Sequence, residues 1–199
     1  CLAGGVTANV KMNQRIRELK NVKNVYVLPP MDDCGLSLGS CLAQMARDGN
    51  PYKKFVNSMS FGPSFSNEQI ETILNDKKYK YKRIESVEHE ITDAIESGKI
   101  IGFFSGGMEY GPRALCNRSI IYHCRDGEIN TWLNDRLSRT EFMPFAPVTT
   151  NELAEKCFIG WSDDDRAADF MTMTYDVTKE FAESCPAAVH IDNTARPQI

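Results

Sequence analysis

The chain has 199 residues, of which 42% are hydrophobic and 25% are charged, and its formal net charge is −4. These values are ordinary for a globular protein and leave room for one large domain or two small ones. The acidic balance argues against a general nucleic-acid binder, because such proteins are usually basic. No apolar run approaches the roughly 20 residues that cross a bilayer, and no secretory leader is recognisable, so we expect no membrane partner.

The seven cysteines are an odd number at irregular spacing, and they form no C-x-x-C pair. This pattern gives little support to a zinc site. Free thiols buried in a reducing compartment are the better interpretation, and we therefore expect a cytoplasmic protein.

Residues 1–50 predict an α/β unit. Its elements are the end of a buried strand at 1–3, a helix over 8–19, a short strand over 25–28 and a helix over 35–47. Because strands and helices alternate, we expect a parallel or mixed sheet. The first residues are already apolar and the last lie inside a patterned segment, so we expect a piece of a longer protein.

Residues 51–76 predict a connector, because turns such as Phe61-Gly62-Pro63-Ser64 interrupt regular structure. Within it, Ser66 and Gln69 have the spacing of a capping box, which predicts a short helix through Leu74. We take this connector as the domain boundary.

Residues 77–199 predict a second α/β domain. Lys78, Lys80 and Lys82 alternate with tyrosines, which is the pattern of an edge strand with one charged face. The other predicted elements are a helix over 85–97, a buried strand over 99–104, a helix over 131–137, a rigid extended segment over 143–147 and a strand over 171–177.

Residues 108–119 form the most informative segment of this second domain. Gly111-Pro112 combines the conformational freedom of glycine with the restriction of proline. The charged and neutral donors that follow are Arg113, Asn117, Arg118 and Ser119. Guanidinium forks and hydroxyls suit phosphate or carboxylate oxygens. A solvated turn with surface arginines is the alternative, and the residues alone leave both open.

The last segment, 188–198, alternates with a period of two. As a strand it would place one polar set on a single face, namely His190, Asp192, Thr194, Arg196 and Gln198. A row of base, acid, hydroxyl and cation on one sheet face is a good ligand surface. A strand with one face in solvent is the alternative.

Two smaller features lie in the first unit. Gly4-Gly5 lies between a strand and a helix, where backbone N–H groups approach a phosphate or make an ordinary tight turn. Asp32-Asp33 lies between the next strand and helix, where carboxylates either hold a divalent metal or cap the helix, with capping ahead on residue type.

Together these motifs resemble the O-carbamoyltransferase family, which includes nodulation-factor and antibiotic-tailoring enzymes. The matching segments are 2–6 with Asn9, 33–39, 108–120, Arg139 with 144–147, and 190–198. They occur in the family's order and extend over nearly the whole chain.

The resemblance implies two modules. Residues 1–50 would be the C-terminal end of an actin/sugar-kinase-type domain that transfers the carbamoyl group, and 77–199 would be a YrdC-like mixed-sheet domain. The YrdC-like domain would make carbamoyl-adenylate from carbamoyl phosphate and ATP, for transfer to a hydroxyl of a sugar or other small molecule. We expect this piece alone not to complete that transfer, and the edges of its first sheet predict pairing with a second copy.

The resemblance also assigns roles. His190, Asp192 and Arg139 would be catalytic, and Asp33 would be one ligand of a divalent metal whose other ligands lie upstream. Nucleotide and substrate would contact Arg113, Asn117, Arg118, Ser119, Thr194, Arg196, Gly4, Gly5 and Asn9.

The chain departs from the family pattern at four positions. Gly107, Leu137 and Met143 stand where the family commonly has cations, and Cys116 stands where it commonly has glycine. The departures leave open a non-catalytic nucleotide- or RNA-binding module of the same fold, and also an assembly domain whose arginines serve a subunit interface.

Overall fold

The computed structural model describes residues 1–53, 56–140 and 144–199. The chain divides into two compact units. Unit 1 comprises Cys1–Phe55, Gly111–Arg113 and Cys124–Ile199, and unit 2 comprises Val56–Tyr110 and Ala114–His123. Met143, the first residue of the predicted extended segment, lies outside the described residues.

The described helices and strands follow one another along the chain. They are α1 (Val10–Arg17), α2 (Gly35–Arg47), α3 (Asn67–Asp76), α4 (Val87–Glu96), β1 (Ile101–Phe104), β2 (Arg118–Ile121), α5 (Ile129–Arg136), α6 (Asn151–Cys157), β3 (Tyr175–Asp176), α7 (Lys179–Ser184) and β4 (Thr194–Ala195). Short 3₁₀ helices cover Gly5–Ala8, Ala168–Phe170 and Pro186–Ala188. No described helix is both long and apolar enough to cross a membrane.

The mixture of helices and small sheets is consistent with the α/β prediction. Strands β1 and β2 form one antiparallel pair and β3 and β4 form another. Within the described residues, parallel pairing is limited to the isolated bridges Leu2↔Val27 and Val148↔Gln198. The predicted strand over 25–28 is therefore reduced to the bridge at Val27, whose side chain is nevertheless fully buried.

Local signals predicted several elements correctly. Helix α2 has the predicted bounds, Gly35–Arg47. The capping box at the start of α3 is confirmed, because Ser66 Oγ accepts from the Gln69 N–H and Gln69 Oε1 accepts from the Ser66 N–H. Helix α1 is shorter than predicted, since Asn9 caps it by accepting from the Met12 N–H at 3.0 Å.

The predicted lysine-rich edge strand over 78–82 is wrong, because no strand forms there. Lys78 adopts a left-handed conformation with φ 57°, and the Tyr79 N–H donates to the Leu74 oxygen at 2.9 Å. This pattern closes the C-terminus of α3. Lys82 instead pairs with Glu90 of α4.

The predicted buried strand over 99–104 forms as β1 but is only half-buried, and its side chains alternate between partly buried and exposed. Its register with β2 pairs Phe103 with Ser119 and Phe104 with Arg118. Phe104 is 60% exposed. A two-stranded antiparallel pair can leave one face in solvent, which explains the difference from the buried strand that the apolar run suggested.

The predicted strand over 188–198 is also wrong, because only Thr194–Ala195 is extended and paired. The His190 N–H donates to the Thr194 oxygen at 2.8 Å, and the Asn193 N–H donates to the His190 oxygen at 2.9 Å. Asn193 has φ 58°, in the left-handed region that asparagine tolerates. Residues 190–193 therefore make a turn, and Ile191 is 93% exposed rather than on a buried face.

The core of unit 1 forms around β3, α6 and the segment that contains Val27. Its buried members include Val25, Val27, Met31, Phe158, Trp161, Met173 and Tyr175. The predicted strand over 171–177 is shorter than expected and consists of Tyr175–Asp176, because Met171 is left-handed with φ 55°.

Helix α1 packs on this core through polar side chains. Asn13 is fully buried, and its Nδ2 donates to the oxygens of Thr7 and Thr172, both at 2.8 Å. Gln14 Oε1 accepts from Thr174 Oγ1 at 2.8 Å, and Arg17 Nε lies 2.6 Å from Asp165 Oδ2. These contacts fix α1 against residues 165–176.

Candidate functional site

A polar cluster in unit 1 is centred on the Asp192 carboxylate. Asp192 Oδ1 accepts from Thr194 Oγ1 at 2.6 Å and lies 3.1 Å from His190 Nδ1. Asp192 Oδ2 lies 2.9 Å from Lys11 Nζ of α1. The sequence predicted that His190, Asp192 and Thr194 share a surface, and they do meet, but in a turn rather than along a strand.

The turn itself explains why these three side chains converge. Asp192 Oδ1 also accepts from the Thr194 backbone N–H at 3.2 Å, which is the local bond that aspartate makes two residues ahead. The carboxylate thereby holds the turn closed and presents itself to the histidine ring. A single oxygen serves the backbone, the hydroxyl and the imidazole.

The electrostatics of the cluster favour an ionised Asp192. Partial burial opposes the charge, but hydrogen bonds from Thr194, Lys11 and His190 outweigh it and hold the pKa of Asp192 well below its usual range. A carboxylate that remains anionic accepts the Nδ1–H of a neutral histidine and so fixes the ring tautomer. Nε2 is the other ring nitrogen of His190, and it is buried.

A second feature of unit 1 is the neighbourhood of Arg113 and Arg196. Arg113 is half-buried, and its Nη1 lies 3.3 Å from the sulfur of Met31. Burial, and then the neighbouring guanidinium of Arg196, lower the pKa of Arg113 to about 10, while Asp32 acts in the opposite direction. Two predicted ligand-binding cations therefore lie close enough to repel each other, and an anion between them would relieve that repulsion.

The backbone before Arg113 turns at Gly111-Pro112, as the sequence predicted. Gly111 has φ 121°, which an L-residue rarely adopts, and a Cβ there would lie 3.4 Å from Pro30 N. Glycine at this position therefore lets the motif run close to the segment that leads into α2.

In unit 2, Glu109 organises the rest of the motif. Its Oε1 accepts from three backbone N–H groups, those of Leu115 at 2.9 Å, Asn117 at 2.7 Å and Arg118 at 3.1 Å. Partial burial opposes ionisation, but these bonds together lower the pKa of Glu109. Sequence reasoning missed this role, although a carboxylate two residues before the Gly111-Pro112 turn is the type of residue that could signal it.

Asn117, Arg118 and Ser119 hold the loop together in the described structure. The Asn117 Nδ2 donates to Ser60 Oγ and to the Gly107 oxygen, both at 2.8 Å. Ser119 Oγ accepts from the Cys116 N–H at 3.1 Å. Their assignment to a ligand stays a prediction, and a ligand would have to share these donors.

Arg118 caps several carbonyl oxygens of the same loop. Its guanidinium donates to the oxygens of Ser105 at 2.6 Å and Gly106 at 3.1 Å, and it lies 3.8 Å from the ring centroid of Phe104. Neutral carbonyls do not cancel its charge, so the cation keeps its attraction for an anion.

The segment 59–63, which the sequence assigned to a connector, pairs with the motif. The Tyr110 N–H donates to the Met59 oxygen at 2.7 Å, and the Gly62 N–H donates to the Met108 oxygen at 2.8 Å. The connector is therefore part of the structure that supports Glu109 and Asn117.

The predicted residues at the start of the chain are exposed. Gly4 has φ 97°, and a Cβ at Gly4 or Gly5 would meet no atom within 4 Å. Asn9 is the N-cap of α1. The loop is therefore open around both glycines, as a backbone that approaches a ligand would need to be.

Arg139 and Asp33 complete the predicted set. The Arg139 guanidinium lies 5.1 Å from the ring centroid of Phe145. Asp33 is exposed, while the neighbouring Asp32 Oδ1 accepts from the Cys34 N–H at 3.0 Å and closes the turn into α2. The described residues contain no group of three or more His, Cys, Asp or Glu side chains that could hold a metal ion. Asp33 could contribute one ligand at most.

Comparison with known proteins identifies the family. A family model described as Carbamoyltransferase C-terminus matches residues 92–199, which is more than half of the chain. A second model, Carbamoyltransferase N-terminus, matches residues 1–42.

Individual relatives agree with this result. The chain is 35% identical over its full length to an uncharacterized protein of Methanocaldococcus jannaschii. It is 32% identical to the nodulation protein NolO of Bradyrhizobium diazoefficiens and 30% identical to nodulation protein U of Rhizobium tropici, again over 100% of the chain. It spans 33%, 37% and 32% of the lengths of these three relatives. Both the family models and the relatives confirm the resemblance that the motifs suggested, and the chain belongs to the carbamoyltransferase family.

Proposed function

We propose that this chain carries the adenylate-forming step of an ATP-dependent O-carbamoyltransferase. Water splits carbamoyl phosphate into carbamate and phosphate, and a carbamate oxygen then attacks the α-phosphorus of ATP. A new P–O bond forms, the bond to pyrophosphate breaks, and carbamoyl-adenylate results. The carbamoyl group then passes to a hydroxyl of a sugar or another small molecule, which loses its proton as AMP leaves.

The half-buried Arg113, whose pKa is lowered to about 10 by burial and then by the neighbouring Arg196 guanidinium, is the observation that carries this proposal. Adenylate formation brings an anionic carbamate against anionic phosphates, and cations must offset that charge and hold the reacting groups in line. Two neighbouring guanidiniums suit this task, because an anion between them would interact favourably with both. Arg139 of the same unit would supply further charge, and Arg118 stays a predicted ligand contact of the same sequence motif.

The His190–Asp192–Thr194 turn supports the same reaction. In the proposed site, Asp192 orients the imidazole through Nδ1, and His190 Nε2 holds or moves a proton on the donor. Hydrolysis of carbamoyl phosphate needs such a group, because a water must lose a proton as it attacks.

The modular arrangement remains part of the proposal. Residues 77–199 would form the YrdC-like domain, 1–50 would end the actin/sugar-kinase-type transfer domain, and 51–76 would connect them. Asp33 would be one ligand of a divalent metal in the transfer domain, where Gly4, Gly5 and Asn9 would face the nucleotide. Such a metal would polarise the carbamoyl group or its phosphate neighbour. A homodimer would pair the exposed edges of the first unit.

The experiment that tests this proposal measures the release of pyrophosphate from ATP by the purified chain, with and without carbamoyl phosphate. The proposal predicts release that requires carbamoyl phosphate. ATP binding without carbamoyl-phosphate-dependent release would contradict it and favour the non-catalytic nucleotide-binding module instead.

A further inference from the structure

Lys11 joins the Asp192 cluster from the N-terminal part of the chain. Its Nζ lies 2.9 Å from Asp192 Oδ2, while the other carboxylate oxygen serves Thr194 and His190. The contact joins the segment matched by the N-terminal family model to the segment matched by the C-terminal one. No motif in the sequence marks Lys11.

The fold fixes the position of Lys11. Helix α1 is held by the buried Asn13, by the Gln14 bond to Thr174 and by the Arg17 pair with Asp165. Lys11 and Asp192 are 34% and 38% exposed at their side chains, so the pair is partly screened by water. Its position on a fixed helix nevertheless keeps a positive charge at one side of Asp192.

The charged groups around Asp192 come from its own turn, from α1 and from β3. His190 belongs to the same turn, and Lys11 and the exposed Arg15 belong to α1. Arg15 also interacts electrostatically with Asp176 of β3. An uncompensated carboxylate stabilises the protonated imidazole. Lys11 offsets part of that charge from the side opposite His190, whose Nδ1 lies 3.1 Å from the other carboxylate oxygen.

We infer that Lys11 is a positioning residue that acts on His190 through Asp192, orienting the carboxylate and balancing its charge so that the imidazole stays available as a base. The inference rests on the proposed function for its role in the reaction. The arrangement itself is testable without any activity.

The direct test is a pH titration of the histidine ring signals by nuclear magnetic resonance. The chain has three histidines, and loss of signals in His190→Gln identifies those of His190. In Lys11→Met we expect the protonated ring to persist to a pH about half a unit higher than in the wild type, as a partly exposed pair allows. Lys11→Arg and the exposed control Lys20→Met should match the wild type.

The same variants then test the reaction. We expect the acid limb of carbamoyl-phosphate-dependent pyrophosphate release to move up by about half a pH unit in Lys11→Met, which is about a threefold loss on that limb. The high-pH plateau should be unchanged, whereas a merely structural role would lower the plateau as well. A Lys11→Met titration identical to the wild type, or Lys11→Arg behaving like Lys11→Met, overturns the inference. A spectroscopic shift in a chain that releases no pyrophosphate supports the Lys11 arrangement and contradicts the proposed function.

Discussion

The backbone of Gly107 lies directly against the backbone oxygen of Ser60, and a Cβ at position 107 would stand 2.8 Å from that oxygen. The family that the motifs resemble commonly has a cation at this position. In this chain the space beside residue 107 is taken by the segment 59–63, which also pairs with Met108 and Tyr110. A larger side chain at position 107 would therefore clash with the segment 59–63, and the glycine of this chain fits the packing there.

Gly107→Ala should lower the free energy of unfolding by about 1–3 kcal/mol, because the added methyl group would force backbone apart. Urea denaturation at neutral pH measures it. Gly39→Ala is the matched control, because Gly39 lies within α2 and a Cβ there would meet no atom within 4 Å. The control should be neutral or stabilising by up to about 1 kcal/mol. Equal stability of Gly107→Ala and the wild type would contradict the described packing.

The variant Cys116→Gly should have a higher free energy of unfolding than the variant Cys116→Ala. Its φ of 71° lies in the left-handed region, which costs a residue with a Cβ about 1 kcal/mol or more relative to glycine. Comparing Cys116→Gly with Cys116→Ala removes the sulfur from both variants, so the difference reports the backbone. Equal unfolding free energies for the two would show that φ is not strained there.

Glu109→Gln should destabilise the chain by roughly 1–2 kcal/mol at neutral pH, since a charged acceptor of three N–H groups becomes neutral. The folded-state pKa of Glu109 is lowered, so its contribution is complete above the unfolded pKa of about 4.3 and is lost as the pH falls through the folded value. Urea unfolding at pH 7.5 and pH 3 should therefore show a difference between variant and wild type that narrows at pH 3. A difference that is constant with pH would refute the charge-based role.

Arg113→Met should weaken ATP binding at least about tenfold without lowering the stability of the unliganded chain. Removing one charge-assisted contact to phosphate accounts for the first effect. Removing a half-buried guanidinium next to Arg196 accounts for the second. Titration calorimetry and urea denaturation measure the two effects, with Arg47→Met at the exposed end of α2 as the control. Unchanged affinity would remove Arg113 from the site.

Short-range signals predicted the parts of the fold that depend on them. The bounds of α2 and the Ser66 capping box follow from residues within one helical turn, and both are confirmed. The strand over 188–198 was wrong because alternating polar residues are also typical of turns. Asp192 accepts from the nearby Thr194 N–H, and Asn193 adopts the left-handed conformation. His190, Asp192 and Thr194 still meet, since the turn brings the same residues together by another route.

Contacts between residues far apart in the chain could not be predicted from the sequence. Ser60 bonds to Asn117 across 57 residues, and Lys11 reaches Asp192 from the other end of the chain. Neither residue lies in a recognisable motif, because each is selected by the packing of α1 or of the segment 59–63. The family motifs located the candidate site, whereas the contacts that support it could be identified only from the three-dimensional structure.

Detection of the adenylate itself is the decisive test of the proposed reaction. The chain is incubated with ATP and carbamoyl phosphate labelled in its carbonyl carbon, and the products are separated and analysed by mass spectrometry. We predict a labelled carbamoyl adduct of AMP that needs both substrates and is strongly reduced in Arg113→Met. Folded wild-type chain that binds ATP but yields no labelled adduct would contradict the account.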